Sequence, residues 1–132
     1  MVTIECESPG LGGTVDVTDR ISAELHRLPR ATGIATVLVD GSTCGLCIMR
    51  FEPGTERDLG EALNRISPAE HEYHHRRTTG DGNGEAHVKS VLVSQSVAVP
   101  VIAHSIALAK LHRIVLWDFD HSPSQRKLYI DL

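Results

Sequence analysis

Short apolar or alternating segments, bounded by Gly, Pro and polar turns, predict strands along most of the chain. Tight-turn chemistry at Asp40-Gly41-Ser42 predicts that the two strands on either side of it pair as a hairpin. The predicted strands are Val2–Cys6, Thr14–Val17, Gly33–Val39, Thr43–Ile48, Ser96–Ile102, Ile106–Leu108, Ile114–Phe119 and Lys127–Ile130.

Two helices are predicted by apolar residues that recur on one face. The first is capped by Thr18 or Asp19 and ends at Pro29, and the second runs from a capping box at Thr55–Asp58 to Ser67-Pro68. The element order is therefore two strands, a helix, two strands, a helix and three or more strands. Because short connections favour antiparallel pairing, the sequence predicts one α+β domain over residues 1–132, with two main helices packed on sheet faces.

Composition narrows the classes of function. The formal charge of -4, with Lys and Arg scattered along 132 residues, gives no basic surface for nucleic acid. No signal-like start and no stretch long and apolar enough for a membrane span is present, so we expect a cytoplasmic protein that binds no membrane. An odd count of three cysteines favours free thiols or metal ligation over a disulfide framework.

The segment from Tyr73 to Ser90 contains unusual chemistry, because four of the eight histidines lie in or beside it (His71, His74, His75 and His87). Its Gly, Thr and charge content predicts a long loop with a helical end. The Asp81-Gly82-Asn83-Gly84 turn reverses the chain, which predicts that His75 and His87 come together. Such a pair suits a shared metal or acid–base chemistry. The alternative is two solvated surface histidines.

Cys44 and Cys47 add a Cys-x-x-Cys string, which with two imidazoles gives the ligand count of a tetrahedral zinc site. On a regular strand the two thiols point to opposite faces, so one thiol is expected rather than two. Cys47 shares the parity of Gly41 and is the expected third ligand. Burial as small hydrophobes, or a redox pair, are the alternatives for these cysteines.

Several ordered motifs in the chain resemble the YjbQ family. They are Tyr73-x-His75, Asp81-Gly82-Asn83, Ala86-His87-Val88-Lys89-Ser90, Ser96–Val101 and Asp118-Phe119-Asp120, with Val17-Thr18-Asp19, Gly33-Ile34 and Asp58-Leu59 upstream. The resemblance covers nearly the whole chain. Each motif alone is weak, whereas the ordered set is fairly specific.

The resemblance implies a mostly antiparallel two-sheet β-sandwich, assembled as a homotrimer with sites near subunit interfaces. It also implies a thiamine-phosphate synthase-like transferase, which couples a pyrimidine diphosphate with a thiazole phosphate. From the residues we expect a divalent metal, zinc at the imidazoles or magnesium for phosphate chemistry, and a small phosphorylated ligand. The expected site residues are His75, His87 and Lys89 as catalytic groups, Arg76, Asn83 and Ser90 as substrate-binding groups, and His75, His87 and Cys47 as metal ligands.

Three departures from the family's pattern leave two hypotheses open. Gly41-Ser42-Thr43-Cys44 stands where the family has His-Thr-Thr/Ser-Ala, Met49-Arg50 where it has Asn-Glu, and Ala109-Lys110-Leu111-His112 where it has Gly-Thr-Trp-Gln. A site histidine and a carboxylate are thereby lost. The chain is either an active enzyme of this type or a catalytically degenerate homotrimeric binding or regulatory protein.

Overall fold

Eight strands and four helices make up the computed structural model, which describes residues 1–132. The helices are α1 (Thr18–Glu24), which a 3-10 turn (Leu25–Arg27) extends, α2 (Pro53–Ile66), α3 (His74–Thr79) and α4 (Gly84–Val93). The strands are β1 (Val2–Ser8), β2 (Gly13–Asp16), β3 (Gly33–Asp40), β4 (Cys44–Arg50), β5 (Ser96–Ile102), β6 (Ser105–Ile106), β7 (His112–Asp118) and β8 (Ser124–Asp131).

The strands form two antiparallel sheets, as predicted. The larger sheet has the order β1-β8-β3-β5-β6, and the smaller has the order β2-β7-β4. Strand β3 shows how they meet: Ala35, Val37 and Val39 are buried in the main core, while Ile34 and Leu38 face outward. Burying the inward-facing residues of the two sheets against one another removes apolar surface from water and sets the sandwich.

Helices α2 and α4 cover the other face of the smaller sheet. Leu63 of α2 and Ala86 of α4 pack with Val115, Trp117 and Phe119 in a second cluster. Strands β4 and β7 are therefore buried on both faces, which explains their long apolar runs. None of the four helices has the length and apolar character that crossing a membrane requires.

The predicted hairpin between β3 and β4 is wrong. Strand β3 pairs with β5 and β8, whereas β4 pairs with β7 in the other sheet. Gly41 has a φ of +155°, and the chain crosses here from one sheet to the other instead of turning back. The turn residues described the local bend correctly but not the partner strand.

The predicted helices differ from the observed ones at two places. Helix α2 begins at Pro53, because the Glu52 side chain accepts hydrogen bonds from the backbone N–H groups of Gly54 and Thr55. The capping box thus lies three residues earlier than expected. The segment predicted as a long loop contains α3 and α4, of which only the helical end was expected.

A buried ion pair joins the two sheets at one end. The Arg126 guanidinium on β8 donates from Nε and Nη2 to the two carboxylate oxygens of Asp118 on β7, each at 2.8 Å. Ser8 on β1 donates to the same carboxylate at 2.6 Å. Burial alone would raise the pKa of the fully buried Asp118, but the hydrogen bonds from Arg126 and Ser8 outweigh it and lower that pKa.

We predict that Asp118→Asn destabilises the fold by about 3–5 kcal/mol, because it removes the buried charge that pairs with the largely buried Arg126 guanidinium and leaves it only the Asp120 carboxylate at 4.0 Å. Urea denaturation at neutral pH measures this. Asp131→Asn is the matched control, since Asp131 pairs only with the exposed N-terminal amine, and we expect a change within about 0.5 kcal/mol.

The same pair predicts an acid dependence. Because the pKa of Asp118 is lowered in the folded state, its stabilisation is complete above about pH 4, where an unfolded aspartate is ionised. It is lost as pH falls through the folded pKa. Asp118→Asn should therefore flatten the acid limb of stability, and an unchanged limb would contradict the assignment.

Candidate functional site

The turn between α3 and α4 brings two imidazoles into contact. The ring centroids of His75 and His87 lie 4.4 Å apart, with the planes at 63°. Gly80 ends α3 in the left-handed conformation, at a φ of 81°, and lets the chain reverse within a few residues. The geometry that the turn chemistry predicts is therefore present.

Each ring has a distinct environment. Nδ1 of His87 lies 3.0 Å from the backbone carbonyl of Ser42. A carbonyl oxygen only accepts, so Nδ1 donates, and the neutral His87 ring carries its lone pair on Nε2. On His75, Nε2 lies 3.4 Å from the Thr79 hydroxyl and 4.0 Å from a carboxylate oxygen of Asp81.

Tyr73 anchors the start of α3. Its hydroxyl donates to the carbonyl of Pro68 at 2.6 Å and lies 3.0 Å from the Ser67 hydroxyl. Gly84, at the start of α4, packs on the Tyr73 ring so closely that an added Cβ would lie 2.5 Å from Tyr73 Cβ. The contact explains why α3 and α4 stay together and hold the two imidazoles.

A hydrogen-bond network lies beneath the loop that holds His87. Arg126 donates to the Thr43 hydroxyl at 2.8 Å, and Thr43 donates to Asp120 at 3.0 Å. The Asn83 amide nitrogen reaches Asp120 at 3.5 Å, while its buried carbonyl oxygen has no partner. Asn83, expected to bind substrate, thus lies in the network, with one acceptor free.

Three expected site residues lie apart from the imidazole pair. Lys89 donates to the Asn64 side chain at 2.7 Å on the other side of α4. The buried Ser90 hydroxyl donates to the carbonyl of Cys44 at 2.6 Å, a bond that holds α4 on β4. Arg76 lies by a small hollow of about 90 Å³ that Asp81 also lines. These side chains are close to His75 and His87 in sequence, but their positions around the helices direct them away from the two imidazoles.

The structure does not form the expected three-ligand site with Cys47. Cys47 packs against the Leu63 and Trp117 cluster, and no group of three or more His, Cys, Asp or Glu side chains is arranged to hold a metal ion. The parity argument failed because β4 begins only at Cys44, so Gly41 is not on the same regular strand. Cys47 does not share the surroundings of Gly41.

The two cysteines of the Cys-x-x-Cys string lie on opposite faces of β4, with Cys44 buried in the main core and Cys47 partly buried toward the helices. Burial raises the pKa of the Cys44 thiol to about 11 and also raises that of Cys47. Since a reactive thiol needs a lowered pKa, this environment gives the redox alternative no support.

Sequence reasoning missed a buried acidic group on α4. The Glu85 carboxylate is buried and pairs through Oε1 with Nε2 of His121, which follows β7. Its other oxygen, Oε2, is buried without a hydrogen-bond partner. The Glu85 and Lys89 spacing of one helical turn was the available signal, but nothing local places His121 beside it.

The chain matches one protein family over almost its whole length. The family model "UPF0047 protein YjbQ-like" matches residues 2–132. A UPF0047 protein of Archaeoglobus fulgidus is 30% identical over 116 residues, covering 88% of this chain and 87% of that protein. A UPF0047 protein of Mycobacterium bovis is 30% identical over 114 residues, covering 86% of each.

Solved structures share the same fold. A YjbQ/UPF0047 family protein from Clostridium acetobutylicum gives a TM-score of 0.87 at 21% identity, over 99% of this chain and 98% of that one. A conserved hypothetical protein from Thermus thermophilus gives a TM-score of 0.81 at 26% identity, over 98% of both chains. The fold of this chain is thus shared with both of these proteins.

We predict that Gly41→Ala destabilises the chain by about 1–3 kcal/mol, because the site loop has no room for a side chain. An added Cβ would lie 2.8 Å from both Arg126 Nη1 and Cys44 Sγ, at a φ of +155°. Thermal and urea unfolding measure the effect. Gly82→Ala is the control, since nothing lies within 4 Å of its added Cβ, and equal losses in both variants would refute the steric explanation.

Proposed function

The chain belongs to the UPF0047 family of YjbQ-like proteins, and from this premise we propose that its His75 and His87 form the reactive centre for a small phosphorylated ligand. The contact between the two rings carries the proposal. One imidazole is held by the Ser42 carbonyl with a lone pair on Nε2, which is the state that acid–base chemistry or metal binding needs.

The reaction class to test is the one implied by the resemblance. In coupling a pyrimidine diphosphate with a thiazole phosphate, a C–N bond forms while the C–O bond to diphosphate breaks. The departing diphosphate gains negative charge, which an imidazolium stabilises by donating a hydrogen bond or a proton. Arg76, the residue after His75 on α3, adds positive charge to that helix, although its side chain lies by the separate hollow that Asp81 lines.

His75 and His87 could hold a divalent ion only if other groups completed the coordination of that ion. Imidazole nitrogen suits zinc, and His75 and His87 would supply two ligands. Magnesium prefers oxygen and would arrive with the phosphate oxygens of the substrate. The bond from His87 Nδ1 to the Ser42 carbonyl orients the ring for either use.

We predict that purified protein forms thiamine phosphate from the two phosphorylated precursors, and that His75→Ala and His87→Ala each lower the rate by about 10²- to 10⁴-fold. Chromatography with mass detection measures the product, with and without added zinc or magnesium. His74→Ala is the control, because His74 is an exposed neighbour on α3. Rates unchanged in the two alanine variants would refute the proposal.

One observation favours a second candidate, a binding or regulatory protein without turnover. Gly41 stands where the resemblance implies a histidine, and an added Cβ there would lie 2.8 Å from both Arg126 Nη1 and Cys44 Sγ, so no side chain takes that histidine's place. Without that histidine the site has one acid–base group fewer, while His75 and His87 can still bind an anion. Calorimetric binding of the thiazole phosphate, lost in His87→Ala but without product formation, would distinguish this candidate from the first.

We further propose that the chain assembles as the homotrimer that the resemblance implies. The outer face of the larger sheet supports self-association, because Ile34 is 62% and Leu38 is 40% exposed there. Together with Met1, Tyr129 and Leu132 they line a shallow hollow of about 610 Å³. Apolar surface of this kind is stabilised by contact with another chain.

We predict a trimeric mass for the parent protein in sedimentation equilibrium and dissociation of the Ile34→Glu variant, because a buried charge opposes association. Val91→Glu is the matched control: Val91 is 79% exposed on α4, on a different surface. A parent that sediments as a monomer, or dissociation by Val91→Glu alone, would contradict the proposed interface.

A further inference from the structure

A second cavity lies on the side of α4 opposite the imidazole pair. It has a volume of about 270 Å³ and lies between α2, α4 and the end of β7. Its lining combines apolar and polar side chains: Leu63, Asn64, Glu85, Lys89, Trp117 and His121. Glu85 and Lys89 are one turn apart and share a face, while His87 lies between them in sequence and points elsewhere.

Lys89 is an unusual lysine because it is 7% exposed. Its ammonium group donates to the Asn64 side chain at 2.7 Å and forms no salt bridge, although Glu85 lies one turn earlier. It also lies 5.9 Å from the centroid of the Phe119 ring. Burial lowers the pKa of Lys89, and the charge of Glu85 opposes that shift in part. A larger fraction of this amine is therefore neutral than in an exposed lysine.

Glu85 and His121 place proton-transferring groups in the same cavity. Glu85 is 4% exposed and uses only Oε1, in its pair with His121 Nε2. Its Oε2 is buried without a partner, an arrangement that costs free energy unless a ligand supplies a donor. His121 is half exposed and connects this carboxylate to solvent.

We propose that Lys89 is the nucleophile of a second site, where its amine forms an imine with a small aldehyde or ketone held in this cavity. The neutral nitrogen attacks the carbonyl carbon, and the new C–N bond forms as the C–O π bond breaks. The carbonyl oxygen takes a proton from the Glu85 and His121 pair, and the nitrogen, which now carries two protons and a positive charge, returns one proton to that pair, giving a neutral carbinolamine. Loss of the nitrogen-bound proton and of the hydroxyl group as water then gives the imine.

The walls define the class of carbonyl compound. Trp117 and Phe119 are stacked, with ring centroids 6.0 Å apart and planes at 21°. Aromatic walls and a volume of about 270 Å³ fit a small aromatic or short aliphatic carbonyl compound. The site uses neither His75 nor His87, so it stands independently of the function proposed above.

The chain offers a sharp test because Lys89, Lys110 and Lys127 are its only lysines. The protein of 132 residues is treated at pH 7 with benzaldehyde and cyanoborohydride, which reduces an imine to a stable amine, and labelled positions are found by peptide mapping. We expect Lys89, although buried, to be labelled at least about tenfold faster than exposed Lys110 and Lys127. The N-terminal amine is resolved on its own peptide. Labelling of Lys89 at or below the rate of the other two would overturn the proposal.

Two variants test whether the cavity itself provides the selectivity. An added Cβ at Gly60, which lines the cavity, would lie 3.8 Å from Trp117 Cζ3, an ordinary contact. Gly60→Leu should fill the space and lower Lys89 labelling to the rate of Lys110, while Gly60→Ala should keep the parent's selectivity. Melting temperatures confirm that both variants fold. Persistent fast labelling of Lys89 in Gly60→Leu would show that the cavity is not involved and would end the proposal.

Discussion

The buried pair of Arg126 and Asp118 is the interaction on which the site geometry depends. Two charges removed from water are tolerated only when their hydrogen-bonding groups are paired, and Ser8, Ser124 and Thr43 complete that pairing. The pair joins a strand of the larger sheet to the central strand of the smaller one. Through Thr43 it also fixes the loop in which the carbonyl of the preceding residue, Ser42, holds His87.

Two surfaces of one helix have different chemistry. Helix α4 presents His87 to α3 and presents Glu85 and Lys89 to α2 and β7. The first surface is open, with one ring oriented by the backbone. The second is enclosed, and its charged groups are poorly solvated. The enclosed surface suits chemistry that needs a neutral amine, whereas the open one suits an anionic ligand.

Local patterns predicted local structure well, and failed where a partner distant in sequence decides the outcome. The strand segments, the first helix, and the approach of His75 to His87 follow from apolar spacing and turn residues close to one another in the chain.

The pairing of β3 was mispredicted because turn residues at Gly41 give the bend but not the neighbouring strand. Lys89 was expected beside His87 because the two are close in sequence. A step of two residues along a helix, however, directs the side chain to the opposite side. The contact of Glu85 with His121 joins segments 36 residues apart, which no local rule reaches.

The close packing of Gly45 on the end of α4 has a consequence for solubility. Strand β4 is the last strand of its sheet, and its outward backbone is covered there by the Ser94 carbonyl, which accepts from the N–H of Leu46 at 2.9 Å. An added Cβ at Gly45 would lie 2.6 Å from that same carbonyl oxygen. A bulkier residue would push the helix end away and leave an unpaired strand edge, the kind of template on which chains aggregate.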